Sequence, residues 1–372
     1  MGVSETDDTD AQREALAAAF GRDTDPLAEY AGTFEQMDID PFELFMSDVI
    51  ATRDITDHTR TRYEIVLQKE WPEYMDAQGR HPACPNESHV KGFAEHELVD
   101  KGNHPATVKE KLRKLDDAYE YWQADPTFPH PDDYNPVALA RSKINFETPE
   151  EKEVRRIPLE ELREKLQEVT HIRDRAMIVL QLKLGLRASE VSNIRLSEVA
   201  LSNSEIQRHY PQLGTHEILE ERENAVYIPC DRERNKSRRP RVLPLDDETR
   251  RVLLRYLIVR PDNGEETLFL GQSHHDPMTH RGINRAWKRY FHPEYEETEQ
   301  YKAVTSHYGR HYFTTFWTVD RELNRELVKY MRGDTTSRNP SDGPPGAIET
   351  YIHTYYEDIE SVYREQIFKL NV

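Results

Sequence analysis

The heptapeptide L-G-L-R-A-S-E, Leu184 to Glu190, decides how this chain is read. A helical stretch around Ile172 to Leu184 runs into Gly185, so Arg187 falls just where an apolar helix ends. Glu190 follows three residues later, the spacing that puts two side chains on one helical face and lets a carboxylate hold a guanidinium in place. Read alone, the pair is as readily an ordinary surface ion pair.

Downstream, β segments are expected at Ala225 to Pro229 and Arg241 to Leu245, joined by a basic turn within R-N-K-S-R-R-P-R-V-L-P-L, Arg234 to Leu245. Asp231 to Arg241 holds six Arg/Lys and two acids. A β-hairpin of this kind can push one lysine, Lys236, into a DNA groove while Arg234, Arg238, Arg239 and Arg241 touch phosphates; a charged hairpin tip can also be merely solvated. Helices are expected after Asp246, Thr279, Thr305 and Glu322, with a last one running to the C-terminus. In S-H-Y-G-R-H-Y-F, His307 and Arg310 form an H-x-x-R pair that brings an imidazole and a guanidinium to one anion, although about one such pair arises by chance. The stretch E-T-Y-I-H-T-Y-Y, Glu349 to Tyr356, offers three tyrosines, a pattern equally suited to a core.

Upstream, apolar residues recur at helical spacing from Pro41 to Gln123, which predicts an all-helical domain of four or so helices over 41–123. Thr56 and Asp57 signal one helix start, and Pro105, Ala106 and Thr107 another. Residues 124–154, containing D-P-T-F-P-H-P-D-D-Y-N-P, are expected to be a Pro-rich linker. A second domain, 155–372, then opens with Ile157, Pro158 and Leu159. Residues 1–40 hold eleven acids and two arginines and are expected to form a mobile acidic arm.

The formal net charge of −19 points to a very acidic surface, which suits molar salt, where charges are screened within about 3 Å at 1 M; a halophilic source is expected. Net acidity argues against a nucleic-acid partner only until its distribution is read, since the basic hairpin stands apart from it. Cys84 and Cys230 lie far apart, and no apolar run is long enough for a signal peptide or a membrane span, so a cytoplasmic protein without disulfides is expected. Cys84 has His81 and His89 nearby but no CxxC, and no metal site is assigned.

Arginine, hairpin lysine, H-x-x-R and late tyrosine, in that order within one domain, resemble the tyrosine recombinase (phage integrase) family. The resemblance covers residues 40 to 365 and is most similar to integrases of haloarchaea. It implies a mainly α fold with a small β-sheet: a helical core-binding domain and a mixed α/β catalytic domain that together clamp duplex DNA. It also implies site-specific DNA recombination through a 3′-phosphotyrosyl intermediate, with no cofactor. Arg187 and Arg310 would grip the scissile phosphate, Glu190 would support Arg187, and Lys236 would protonate the departing 5′ oxygen. His307 would assist, and Tyr351 would attack, preferred over Tyr355 and Tyr356 because His353 follows it at the family's Tyr-x-His spacing. A homo-tetramer assembled on double-stranded DNA would follow, with the last helix, Glu357 to Leu370, docking on a neighbour. The chain departs from the pattern where the family has a second His or Trp: here stands Met331-Arg332-Gly333-Asp334, and ionised Asp334 cannot donate as they do. Ser202 to Glu223 looks like an insertion, and Thr335 to Gly346 is longer than usual. A type IB topoisomerase-like activity and a DNA-binding regulator with a degenerate site are the rival readings.

Overall fold

The computed structural model describes residues 12, 15–147, 150–232, 235–237, 239–334 and 356–372. The chain divides into two compact units, Met1–Glu151 and Lys152–Val372, each with its own apolar core.

The first unit is helical. Its segments are α1 (Ala31–Glu35), α2 (Pro41–Phe45), α3 (Asp57–Ile65), α4 (Trp71–Ala77), α5 (Glu87–Glu95), α6 (Pro105–Ala124) and α7 (Pro136–Lys143). A π-helical turn, Val66–Glu70, joins α3 to α4, and Pro72, second residue of α4, has no N–H for the carbonyl four residues back. Caps set the starts: the Thr56 hydroxyl accepts from the Thr59 N–H, and Pro105 occupies the first position of α6, where no N–H is needed. Trp71, Trp122, Phe45 and Phe93 are fully buried in this core, each contributing on the order of 2 kcal/mol by burial. His81 and His89 accept backbone N–H bonds from Ala83 and Asn86 through Nδ1, so their rings serve local turns.

Two expectations need correction. Most of the stretch read as a linker is folded into this unit. Pro136 starts α7, Val137 and Ala140 are fully buried, and the His130 Nε2 lies 2.8 Å from the Ala83 carbonyl. Prolines erase periodicity, yet at a first helical position they favour a helix. Nor does the acidic arm reach residue 40, because Leu27 and Phe34 are buried and Phe34 stacks on His81 with ring centroids 5.2 Å apart.

The second unit comprises α8 (Leu159–Glu168), α9 (Ile172–Leu184), α10 (Ala188–Asn193), β1 (Val199–Ala200), α11 (Ser204–His209), β2 (Ala225–Ile228), β3 (Arg241–Pro244), α12 (Asp247–Val259), α13 (His280–Phe291), α14 (Ser306–Thr315), α15 (Arg325–Arg332) and α16 (Tyr356–Gln366). The three strands form an antiparallel sheet in the order β1-β2-β3, with Val226 opposite both Val199 and Leu243. The architecture is thus mainly α with one small sheet, as expected. Two-residue β1 escaped notice because it is too short to show a period. Helix α9 is buried almost all round and is the axis of the unit.

Helix α16 docks on its own unit, contrary to the expected docking on a neighbour. Ile359 and Tyr363 are buried, the Tyr363 hydroxyl donates to the Lys183 carbonyl (3.0 Å), and Arg364 donates to the carbonyls of Leu245 and Glu223. Beneath it, Lys183 has no exposure and lies 2.6 Å from Asp246 and 2.5 Å from Glu248. Glu248 also accepts the N–H groups of Leu370 and Val372, and Asp246 pairs with Lys369. Burial raises the carboxyl pKa of Asp246, but Lys183, Thr249 and Lys369 outweigh it and hold the value at about 2. No helix among the described residues is long and apolar enough to cross a membrane.

Candidate active site

Two glycines let α9 and α14 approach closely. Gly185 ends α9 at φ 64°, and a Cβ there would lie 2.5 Å from Phe313 Cδ1. Gly309 lies on α14, where a Cβ would come within 2.9 Å of the Gln181 carbonyl carbon. Buried Gln181 then ties the parts together: Nε2 donates to the carbonyls of Leu186 (3.2 Å) and Ser306 (3.1 Å), and Oε1 accepts from the Trp287 indole (2.6 Å). This packing carries Arg310, the residue after Gly309, to the turn that follows α9. Arg310 is 2% exposed, and its Nη1 donates to the Gly185 carbonyl at 2.9 Å.

Arg187 begins α10, where its N–H donates to Glu190 Oε2 (2.8 Å) and its Nη1 reaches Glu190 Oε1 (3.4 Å). Glu190 is fully buried and also accepts from Arg241 Nη2 at 3.0 Å. Burial alone would raise the Glu190 pKa, but Arg241, the Arg187 N–H and Arg310 bring it below the usual carboxylate range. Glu190 therefore contacts Arg187 at both its backbone N–H and its guanidinium.

The reading of Arg241 as a DNA contact is overturned. Its side chain has no exposure and is spent on Glu190 and on the Met331 carbonyl (2.7 Å). The β segment expected from Arg241 is present as β3, and it takes the Arg241 side chain under the site rather than out to the turn. Gly333 makes room for it: at φ 67°, a Cβ there would sit 2.4 Å from Arg241 Nη1 and 2.9 Å from Ser237 Cβ.

Three guanidiniums meet at Asp334. Its Oδ1 accepts from Arg310 Nη2 (2.7 Å) and Arg187 Nη2 (3.0 Å), and its Oδ2 lies 2.9 Å from Arg332 Nε. The Arg332 carbonyl in turn accepts both terminal nitrogens of Arg310 at 3.0 Å. Burial, and then Arg187, lower the Arg310 pKa to about 9, which still leaves it cationic at neutral pH. His307 keeps an exposed edge, but partial burial of its ring and the neighbouring His311, Arg310, Arg187 and Arg332 push it down to about 4, so it is neutral at pH 7. Sequence reasoning assigned Arg332 no role, because nothing in the Met331-Arg332-Gly333-Asp334 turn by itself directs the arginine toward an anion.

Lys236 is exposed in the turn between β2 and β3, and no contact joins it to the arginines among the described residues. Its neighbours are anchored, however. The Asn235 side chain donates to the Pro229 carbonyl and accepts from Asn193, and Ser237 is buried beside Gly333. Arg239 is exposed, whereas Arg234 and Arg238 lie outside the described residues, as do Tyr351, His353 and Tyr355. Tyr356 is described and is unsuited to attack: it is buried, its hydroxyl donates to Glu360 (2.8 Å), and Arg222 covers its ring. Burial and Glu360 raise its pKa well above that of a free phenol. Among the described residues, no group of His, Cys, Asp and Glu is arranged to hold a metal ion.

Known proteins resemble this chain in fold and, over part of its length, in sequence. Solved structures with the same fold include the Tn1549 transposon integrase in complex with a circular intermediate DNA, at 18% identity and TM-score 0.55 over 80% of this chain and 92% of that one. A lambda integrase dimer bound to a COC′ core site also matches, at 14% identity and TM-score 0.55 over 80% of this chain and 74% of that one. The chain shares its fold with these integrases. Residues 150–333, just under half of the chain, match the phage integrase family. No curated protein matches the chain by sequence.

Proposed function

We propose that this chain is a site-specific DNA recombinase that cuts and rejoins strands through a 3′-phosphotyrosine. The observation that carries the reading is the convergence of Arg187 and Arg310 on one anion position, each braced from behind, Arg187 by Glu190 and Arg310 by the carbonyls of Gly185 and Arg332. Cations held this rigidly act where charge grows on the phosphorus in the transition state, and removing one such donor costs about 10²–10³ in rate. Tyr351 is the proposed nucleophile. Its oxygen bonds to phosphorus as the bond from phosphorus to the 5′ oxygen breaks, and exposed Lys236 supplies the proton that the leaving oxygen needs. His307, near enough to Arg310, Arg187 and Arg332 for their charges to lower its pKa, is proposed to assist proton transfer or phosphate binding. Conserving the ester in phosphotyrosine lets the reverse attack rejoin a new strand without ATP.

Arg234, Arg238 and Arg239 of the hairpin are proposed to touch flanking phosphates, and recombination between two duplexes calls for a homo-tetramer assembled on DNA. The acidic surface fits a cytoplasm of high salt; full activity at roughly 0.1 M KCl with loss above about 1 M would overturn that part. The central test is a nicked duplex carrying candidate sites from the DNA flanking the gene. A denaturant-stable adduct with the wild type and none with Tyr351→Phe is expected. Adduct formation that survives Tyr351→Phe but not Tyr355→Phe would move the nucleophile. Relaxation of supercoils without exchange between sites would replace recombination by topoisomerase activity, and tight DNA binding with no adduct would leave a regulator.

A further inference from the structure

We propose that Asp334 is a stand-in for the scissile phosphodiester, seated in the arginine cluster until DNA displaces it, and that Arg332 is a third guanidinium that then grips the phosphate. The inference rests on the recombinase reading for the identity of the anion. Its geometry is independent of that reading.

Both carboxylate oxygens are used as an anion's would be, with Arg187 and Arg310 on Oδ1 and Arg332 beside Oδ2. Arg187, Arg310, Arg332 and, behind them, Arg241 outnumber the two carboxylates Asp334 and Glu190, which leaves the seat electropositive. A phosphodiester has the same formal charge and gains more in the transition state, so exchange favours it as reaction proceeds. The seat is also reachable. The side chains of Arg187, Asp334 and Arg332 are 22%, 25% and 30% exposed, whereas that of Arg310 is 3% exposed. Arg332 has a donor to spare, because its Nε is buried and makes no well-directed hydrogen bond although Asp334 Oδ2 is 2.9 Å away.

The backbone around the seat is fixed. The Arg332 carbonyl is held by Arg310, Gly333 is wedged against Arg241, and the Asp334 N–H donates to the Lys329 carbonyl. Displacement therefore needs only rotation of the Asp334 side chain, leaving an anion seat with three donors already in place.

Two measurements on the full-length chain test this. In the first, thermal unfolding is followed in chloride and in sulfate at matched ionic strength, with sulfate as the tetrahedral probe. Asp334→Ala should be stabilised by sulfate clearly more than the wild type, because the emptied seat takes the ion; equal responses would overturn the stand-in. In the second, adduct formation on the nicked duplex is timed under single-turnover conditions. Asp334→Asn should react at least as fast as the wild type, and a loss of a hundredfold would show that the carboxylate is a required brace, contrary to the proposal. Arg332→Ala should slow the adduct about 10²–10³-fold, with Arg332→Lys partly restoring it and the melting temperature unchanged; a rate within about twofold of wild type would remove Arg332 from the phosphate grip. If the wild type forms no adduct at all, the recombinase reading fails, while the sulfate measurement still decides whether Asp334 fills an anion seat.

Discussion

Two charge clusters in the second unit have nearly the same ingredients and opposite fates. Around Lys183, one buried ammonium faces two carboxylates, Lys369 covers the rim, and backbone N–H groups of the C-terminus take up the remaining acceptor capacity. Around Asp334, three guanidiniums share one carboxylate, and the cluster opens to solvent through Arg187 and Arg332. The closed cluster satisfies itself, so its work is to hold α9, α12 and the C-terminal segment together. The open one is short of negative charge and keeps donors in reserve, which is what an anion site requires. Exposure and charge balance, rather than the presence of ion pairs, separate a structural cluster from a reactive one.

The largest expected effect falls on the closed cluster. Lys183→Met leaves Asp246 and Glu248 buried without their main cation and should cost about 3–5 kcal/mol in denaturant unfolding, with the adduct rate per folded molecule little changed. A loss of rate without loss of stability would erase the distinction. Arg310→Ala should do the reverse, lowering the single-turnover adduct rate by about 10²–10³ while lowering the urea midpoint less than Lys183→Met does. Gly333→Ala couples the two behaviours. A side chain at φ 67° pressed on Arg241 should cost about 2–3 kcal/mol, and the shifted turn should also slow the adduct step.

The smallest effects are expected in acid, in two windows. His307 has a folded pKa near 4, below its ordinary value of 6.5, so the unfolded chain binds the extra proton and stability declines as pH falls from about 6.5 towards 4. Asp246 is held near 2, below its ordinary 3.8, so its share, about 2 kcal/mol, is intact above pH 4 and is lost as pH falls towards 2. Urea midpoints measured against pH should show both declines, and His307→Gln should shrink only the upper one, to which His81, His89, His130 and His311, also held down by burial, contribute as well. A single decline confined to pH below 4 would contradict the neutral His307.

Much of this was legible beforehand. The span of α9, its stop at Gly185, the β2–β3 hairpin and the starts of α12, α13 and α14 all follow from patterns a few residues long, because helix and strand formation are matters of local spacing and capping, whereas the grouping of Arg187 with Arg310 came only from the family resemblance. Three things were not legible. The prolines of 124–154 hid α7, since their use at a helix start depends on a core to dock against. Arg241 was grouped with the hairpin arginines and Arg332 was given no role, because burial and facing are decided by the chain that packs opposite. Asp334 lies 147 positions from Arg187, and no local pattern links them.

From the sequence alone came which groups could act on a phosphate and in what order along the chain, because those features are written in residue type and short spacing. Only the tertiary structure decided which arginines face the anion and which lie beneath it, because that depends on two glycines letting α14 approach α9 and on a third seating Arg241 under Glu190. Charge can be counted along a chain, but whether a charge is spent or held in reserve is settled by what packs around it.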